Sequence, residues 1–206
     1  MIQKKQNGQS KHSGRPREFD LDAAVDVALR VFWEKGYEGA SLPDLTDAMG
    51  ISRPSLYAAF GSKQELFRLA LKRYHEGPAF YHREALAKKS AREVAEGLLY
   101  GAADLLSDPK NPRGCLIVQG VMACGPDSEC LRNEVAKKRN EGEKQIRQRF
   151  QRAIREGDLP TDTNANELAK YIATVIYGMA IQSGSGATRA DLRSVASKAL
   201  QVLHLK

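Results

Sequence analysis

The 206-residue chain has only three cysteines, Cys115, Cys124 and Cys130, and no Cys-x-x-Cys pair. This odd count fits neither a standard zinc frame nor a disulfide framework, so a reducing compartment is the simpler interpretation. No apolar run approaches the roughly 18 residues that span a bilayer, and the polar N-terminus lacks the apolar stretch of a secretory signal. We therefore expect a cytoplasmic protein with no integral membrane segment, no metal site and no cofactor.

Acidic residues are also in deficit, since 25 Asp and Glu stand against 32 Lys and Arg, for a net charge of +7. An excess of this size favours an anionic partner such as nucleic acid. Residues 1–18 hold five of the cations against one acid and almost no apolar side chain. This segment cannot bury enough surface to offset its ordering entropy, so we expect a disordered basic arm in the isolated protein. Taken alone, it is equally typical of a solvated tail.

No segment alternates apolar and polar residues for long enough to predict a β-sheet, whereas helical periodicity recurs along the chain. Serine caps, glycine stops and two capping boxes, Ser41 with Asp44 and Ser62 with Glu65, delimit the first four helices. The pattern predicts helices at about 21–35, 42–49, 53–60 and 62–76. One or two helices follow in 79–108, and others at 129–156, at 164–182 and after 186. The fold class is therefore all-α.

Two short helices joined by the tight turn at 50–52 have the sequence form of a helix-turn-helix at about 40–60. Ala48, Ile51 and Leu56 are in position to pack the two helices together. The N-terminal end of the second helix carries Arg53, which can donate two hydrogen bonds to a guanine. Ser41, Ser52 and Ser62 would cap helices in any helical protein, so the pattern predicts DNA binding only in combination with the arm.

Several side chains are candidate DNA contacts on physical grounds. Ser55 and Tyr57 accompany Arg53 at the exposed end of the second helix, where they could reach base edges and phosphates. Lys63 and Ser41 lie at helix N-termini, which favour phosphate. Arg15 and Arg17 flank a proline in the arm and suit a minor groove or flanking phosphates. Tyr57 could instead be a core residue.

Residues 15–74 resemble the N-terminal domain of TetR/AcrR-type repressors, most specifically at 32–37, 41–45 and 50–67. The resemblance implies an all-helical homodimer whose first three helices bind DNA, followed by a larger ligand-binding and dimerisation domain. It divides the chain into an arm at 1–18, a DNA-binding domain at 19–75 and an effector domain at 76–206. The DNA contacts that it implies are Ser41, Arg53, Ser55, Tyr57 and Lys63, with Ser52 as the neighbouring cap. Pro54 departs from the small or polar residue common there, so a base contact at Pro54 would be apolar.

The effector domain resembles the family only in length, helical pattern and the segment 112–116. Apolar positions on its middle helices are the candidate ligand contacts, although most are expected to be core. These candidates are Phe80, Tyr81, Leu98, Leu99, Tyr100, Cys115, Met122, Tyr171 and Val175. The wide apolar faces at 129–156 and 164–182 suit a helix bundle between two subunits, or equally packing within one chain.

Cys115 and Cys124 lie in an apolar run, where free cysteines usually behave as small buried hydrophobes. A redox or electrophile sensor would need a lowered thiol pKa and access, for which Arg113 beside Cys115 is the only hint. His75 and His82 are separated by a Gly-Pro break, so solvated histidines are a better interpretation than a metal site.

The preferred hypothesis is a non-enzymatic, sequence-specific repressor that an unknown small-molecule effector releases from a palindromic double-stranded operator. One alternative is a regulator that senses oxidants or electrophiles through Cys115 or Cys124. Another is a helical small-molecule-binding protein with non-specific DNA affinity. The sequence shows no catalytic nucleophile paired with a general base, no metal motif and no phosphate-binding glycine loop, which argues against a helical enzyme or small-molecule-binding protein.

Overall fold

The computed structural model describes residues 19–120 and 129–203, and within these ranges the chain is helical and contains no β-strand. Among the described residues, one 3-10 turn, Pro78–Phe80, precedes the helix that begins at Tyr81. No described helix is long and apolar enough to cross a membrane. The helices are α1 Leu21–Gly39, α2 Leu42–Met49, α3 Arg53–Phe60, α4 Lys63–Glu76, α5 Tyr81–Leu86, α6 Ala91–Ser107, α7 Leu116–Gln119, α8 Glu129–Arg155, α9 Ala165–Gly184 and α10 Arg189–Leu203.

Local capping explains why the first helices begin and end where the sequence predicts. Asp20 accepts hydrogen bonds from two amides of α1, and Ser41 forms a full capping box with Asp44 at α2. Gly50 ends α2 in the left-handed conformation at φ 64°. α1 continues nominally to Gly39, four residues further than predicted, but Gly36 at φ 69° interrupts it where the sequence places a stop.

Two details of the predicted local structure are wrong. Ser62 caps α4 by accepting from the Glu65 amide, but no reciprocal bond from the Glu65 carboxylate is present. Glu65 instead pairs with Arg68 one turn later, because a charged partner competes with the cap amide. Ala48, expected between α2 and α3, is exposed, and Leu56 together with Leu45 fills that contact.

The head of the molecule, α1 to α4, is built on an aromatic core. The Phe67 ring meets the Phe32 ring edge-on with centroids 5.0 Å apart and the Tyr37 ring at 5.2 Å. Trp33 meets Tyr74 edge-on at 4.7 Å, which ties α1 to the far end of α4. These contacts hold α4 firmly against the helices that precede it.

The body of the molecule, α5 to α10, has a separate aliphatic core. Leu98 and Leu99 of α6 are fully buried against Phe150 of α8, Ile172 of α9 and Ala196 of α10. α9 extends two residues beyond its predicted end, and residues 79–108 form two helices. The predictions for residues 1–18 and for the break at 125–127 lie outside the described residues.

Head and body are joined through the segment 114–120, which contacts both. The Trp33 indole donates to the Gly114 carbonyl at 2.9 Å, and the Tyr37 amide donates to the Gly120 carbonyl at 2.8 Å. The Gly114 amide in turn donates to Ser183 Oγ at 3.1 Å, and Ser183 Oγ donates to the Leu106 carbonyl at 2.6 Å. A buried chain of hydrogen bonds thus runs from α1 to α9 and α6.

The head core also continues across the segment into the body, since it includes Leu116, Ile117, Leu131 and Val135. α7 and the first turns of α8 therefore pack on the head. The domain boundary predicted from the sequence, after residue 75, places both of them in the effector domain.

Candidate nucleic-acid interface and inner cavity

The turn before α3 presents the first turn of that helix to the surface. Ser52, Arg53 and Pro54 are exposed, and Tyr57 is 40% exposed and so is not a core residue. The Arg53 guanidinium lies 5.6 Å from the centroid of the Tyr57 ring, and its Nη2 is 3.4 Å from the tyrosine hydroxyl. This contact orients the Arg53 guanidinium at the exposed N-terminal end of α3, the second helix of the helix-turn-helix.

Two of the candidate serines, Ser41 and Ser52, already cap helices. Ser52 Oγ accepts from the Ser55 amide at 3.2 Å and lies 2.9 Å from Ser55 Oγ. Ser41 Oγ donates to Asp44 at 2.6 Å and accepts from its amide at 3.1 Å. A phosphate contact by Ser41 would therefore replace or share a capping bond.

The charge of Asp44 would repel a phosphate at the N-terminus of α2, but Lys35 lies 2.5 Å from this carboxylate. Hydrogen bonds from Lys35 and Ser41 lower the pKa of Asp44, so the pair stays ionised and adds no net charge. Lys63, at the first position of α4, has its Nζ 4.4 Å from the centroid of the Tyr37 ring. α3 thus presents Ser52, Arg53, Pro54, Ser55 and Tyr57 together, while Arg15 and Arg17 lie outside the described residues.

An inner cavity of about 630 Å³ lies between α4, α5, α7, α8 and α9. Such a volume is typical of small-molecule sites. Much of its wall is aliphatic, and the aliphatic lining residues are Leu71, Ala79, Ile117, Val118, Ile146, Ala173 and Ile176.

Tyr74, Tyr81 and Cys115 place two phenols and a thiol in the cavity wall. The Tyr74 hydroxyl donates to Cys115 Sγ at 3.2 Å. Burial raises the pKa of Cys115 and the pKa values of both tyrosines, so all three groups are protonated at neutral pH. The thiol is therefore not activated as a redox sensor would require. Arg139, rather than the predicted Arg113, is the cation that faces it.

His75 and His82 both line the cavity; His75 is exposed, in agreement with the expectation of solvated histidines, whereas His82 is half-buried. Burial lowers the pKa of His75, and burial together with the neighbouring His75 lowers the pKa of His82 to about 4. Both imidazoles are neutral at pH 7. No group of three potential metal ligands occurs in the part of the chain that the structure describes.

A bidentate ion pair joins α4 to α8 at the rim of the cavity. Arg68 Nε and Nη2 lie 2.8 and 2.6 Å from the two carboxylate oxygens of Glu134. The pairing raises the pKa of Arg68 and lowers the pKa of Glu134. Because both side chains are about one third exposed, the bond is partly screened by water.

Two of the predicted ligand contacts, Tyr81 and Cys115, line the inner cavity. The other described candidates do not line this cavity, because sequence periodicity does not distinguish a core position from a cavity wall. Leu98 and Leu99 are core, Phe80 is 40% exposed, Tyr100 packs beneath Arg193, and Tyr171 and Val175 pack against the body core. Met122 and Cys124 lie outside the described residues.

Several cavity residues were missed by sequence reasoning, including Tyr74, His82 and Tyr177. Tyr74 has the spacing of the apolar stripe of α4, and its exposure to the cavity follows only from the packing of α5 and α8. The local signal available was the group of polar aromatic residues around the Gly77-Pro78 break.

Comparison with known proteins gives matches to two family models. Residues 24–70 match bacterial regulatory proteins of the tetR family, and residues 96–198 match a tetracyclin repressor-like C-terminal domain. The chain is 32% identical to the HTH-type transcriptional repressor ComR of Escherichia coli over 194 residues, which cover 93% of this chain and 92% of ComR. It is 37% identical to the E. coli repressor BdcR over 131 residues, 62% of this chain and 64% of BdcR.

The fold is also similar to solved structures. A cysteine mutant of the TetR family regulator CifR, complexed with 26-base-pair operator DNA, superimposes with a TM-score of 0.88. The two sequences are 44% identical, and the superposition covers 91% of this chain and 98% of that one.

Proposed function

We propose that this chain, which belongs to the TetR family of bacterial regulatory proteins and is a DNA-binding transcriptional regulator, acts as a homodimeric repressor. In this proposal a small molecule releases the repressor from its operator. The observation that carries this proposal is the connection between the two ends of α4. This helix begins beside the exposed α3 surface with Lys63 and ends in the inner cavity with Tyr74 and His75. A ligand in the cavity therefore contacts the helix that supports the DNA-binding surface.

We assign base reading to Arg53, which is exposed at the end of a helix that can enter a major groove. Ser55 and Pro54 contact bases or sugar beside it, whereas Tyr57, Lys63 and Ser41 contact phosphates. The pairing of Arg53 with Tyr57 supports this division, because the guanidinium is held in place before DNA arrives.

Dimerisation is supported by apolar side chains that α9 and α10 leave at the surface. Ile181 is 47% exposed, Val195 44% and Val202 61%. A second copy packed on these helices would form a four-helix interface and hold two α3 helices about 34–36 Å apart, one turn of DNA. We place this dimer in the cytoplasm with its operator.

Release follows if the effector binds more tightly to the arrangement in which the two α3 helices have the wrong spacing. Linkage then requires operator DNA to weaken effector binding by the same factor.

The test is fluorescence-anisotropy binding to an operator selected from random duplexes, at near-physiological salt and with random competitor. We expect Arg53→Ala to cost about 1–3 kcal/mol on the operator and to relax base preference at one position of each half-site. Lys63→Ala should weaken all duplexes alike. Arg155→Ala, which removes an exposed arginine at the far end of α8, is the matched control. Equal loss on operator and random DNA for Arg53→Ala would contradict its base-reading role.

A further inference from the structure

We infer that the ligand of the inner cavity is an uncharged, mainly apolar molecule with an oxygen that accepts a hydrogen bond from the Tyr81 hydroxyl, an inference that rests on the effector role proposed above. It follows from the charge of the lining, the position of Tyr81 and the hydrogen bonds that its neighbours already make.

The described lining offers no net charge to a ligand. Its formally charged side chains number four cations and four acids, all on α4 and α8. Arg68 is bound to Glu134, Lys72 lies 3.8 Å from Glu76, and Arg139 donates to the Ile117 carbonyl at 3.5 Å. Lys138 and Arg139 have Glu141 and Glu143 three and four residues further along α8, so the acids of the lining balance its cations. A charged ligand would therefore lose hydration without meeting a net opposite charge.

The remaining titratable groups of the wall are neutral near pH 7. The pKa shifts of Cys115, Tyr74, Tyr81 and His82 all favour the uncharged form, and burial is the first cause of each. The wall thus combines aliphatic surface with neutral hydrogen-bonding groups.

Tyr81 differs from the other two cavity tyrosines in its hydrogen bonds. Tyr74 donates to Cys115, and Tyr177 donates to the Arg139 carbonyl at 3.5 Å. For the Tyr81 hydroxyl, no hydrogen bond to any residue of 19–120 or 129–203 is found. This phenol is the donor that a ligand oxygen can use without displacing a protein partner.

The Tyr81 ring is also fixed by its neighbour on α6. A Cβ atom at Gly101 would lie 2.5 Å from Tyr81 Cδ2 and 3.2 Å from its Cβ, so glycine at this position allows the close approach of the ring to α6. Gly97 allows the same close approach to Ala85 of α5. A rigid donor costs less conformational entropy on binding, which makes Tyr81 a specificity-determining residue.

The test uses three molecules of one shape: para-tert-butylacetophenone, its alkene analogue para-tert-butyl-α-methylstyrene, and para-tert-butylbenzoate. Their dissociation constants are measured by calorimetry on the full-length protein at pH 7. We expect the ketone to bind about three- to ten-fold more tightly than the alkene, the value of one neutral hydrogen bond, and the carboxylate about a hundred-fold more weakly than the ketone.

Tyr81→Phe should abolish the preference for the ketone while leaving alkene binding unchanged. Tyr100→Phe is the matched control, because it removes the same hydroxyl from a half-buried tyrosine that packs beneath Arg193 outside the cavity. The infrared carbonyl frequency of the bound ketone, lowered by a hydrogen bond in the wild-type complex, provides a measurement that does not depend on how the variant folds.

Tightest binding of the carboxylate, an unchanged ketone preference in Tyr81→Phe, or no binding of any of the three would overturn the inference. Operator release by the ketone is followed separately by anisotropy. Ketone binding with the expected selectivity but without release would contradict the effector role and leave the chemical class of the ligand standing.

Discussion

The head and the body of the molecule use polar side chains in opposite ways. In the head, Ser41, Ser52 and Ser62 bond to amides within three residues along the chain, and the charged groups face the surface. In the body, Tyr81 and Cys115 come from separate elements and meet in the interior. The positions of the functional side chains in the head therefore follow from short stretches of sequence. The cavity site, in contrast, forms only when helices that are distant in the chain pack together.

The largest expected effect tests whether the two cores are energetically separate. Phe67→Ala removes a fully buried ring from the head core and should lower the free energy of unfolding by about 3–5 kcal/mol. Because the head core continues into Leu116 and Leu131, we expect head and body to unfold in one transition. Urea denaturation followed by Trp33 fluorescence and by far-ultraviolet circular dichroism measures this. Phe150→Ala in the body is the matched variant, and transitions that separate for either variant would show independent cores.

A smaller effect is expected where the two regions are joined. Ser183→Ala leaves the buried Gly114 amide and Leu106 carbonyl without their partner, at a cost of about 1–3 kcal/mol. Ser107→Ala is the control, because its hydroxyl bonds only to the preceding turn of α6. Thermal denaturation compares the two variants. Equal losses would mean that the bond from Gly114 to Ser183 does not stabilise the junction.

The same contrast explains how much could be predicted from the sequence. Helix bounds and the exposed position of Arg53 follow from caps, stops and periodicity, all of which act within a few residues. The prediction of a full capping box at Ser62 was wrong because the Glu65 carboxylate pairs with Arg68. The sequence pattern does not indicate which of the two partners this carboxylate prefers. Cavity residues were harder to predict, since the helical pattern groups Leu98 and Tyr81 together and only the packing of α5 on α6 separates a core position from the cavity wall.

The ion pair between Arg68 of α4 and Glu134 of α8 should contribute about 0.5–1 kcal/mol to the free energy of unfolding, since both side chains are partly exposed. Arg68 lowers the pKa of Glu134 in the folded state. This stabilisation is therefore complete above the unfolded pKa of about 4.3 and is lost as the pH falls through the lower folded value. Glu134→Gln should lower the free energy of unfolding at pH 7 and flatten its decline below about pH 4.3. Urea denaturation across this range measures both, and an unchanged acid slope would contradict the assignment.

The smallest expected effect is that of Glu65→Gln, which is compared with Ser62→Ala to test the capping rules of the head. Ser62→Ala should cost about 1 kcal/mol, because α4 loses the acceptor for the Glu65 amide. Glu65→Gln should change the free energy of unfolding by less than about 0.5 kcal/mol, since this carboxylate forms an exposed pair with Arg68 and no bond to the cap amide. A loss in Glu65→Gln as large as that in Ser62→Ala would mean that the reciprocal capping bond forms in solution. In that case the capping-box pattern would predict the start of α4 correctly, and the ion pair with Arg68 would not displace the capping bond. The difference between head and body would then be sharper, because every cap of the head would follow from local sequence alone.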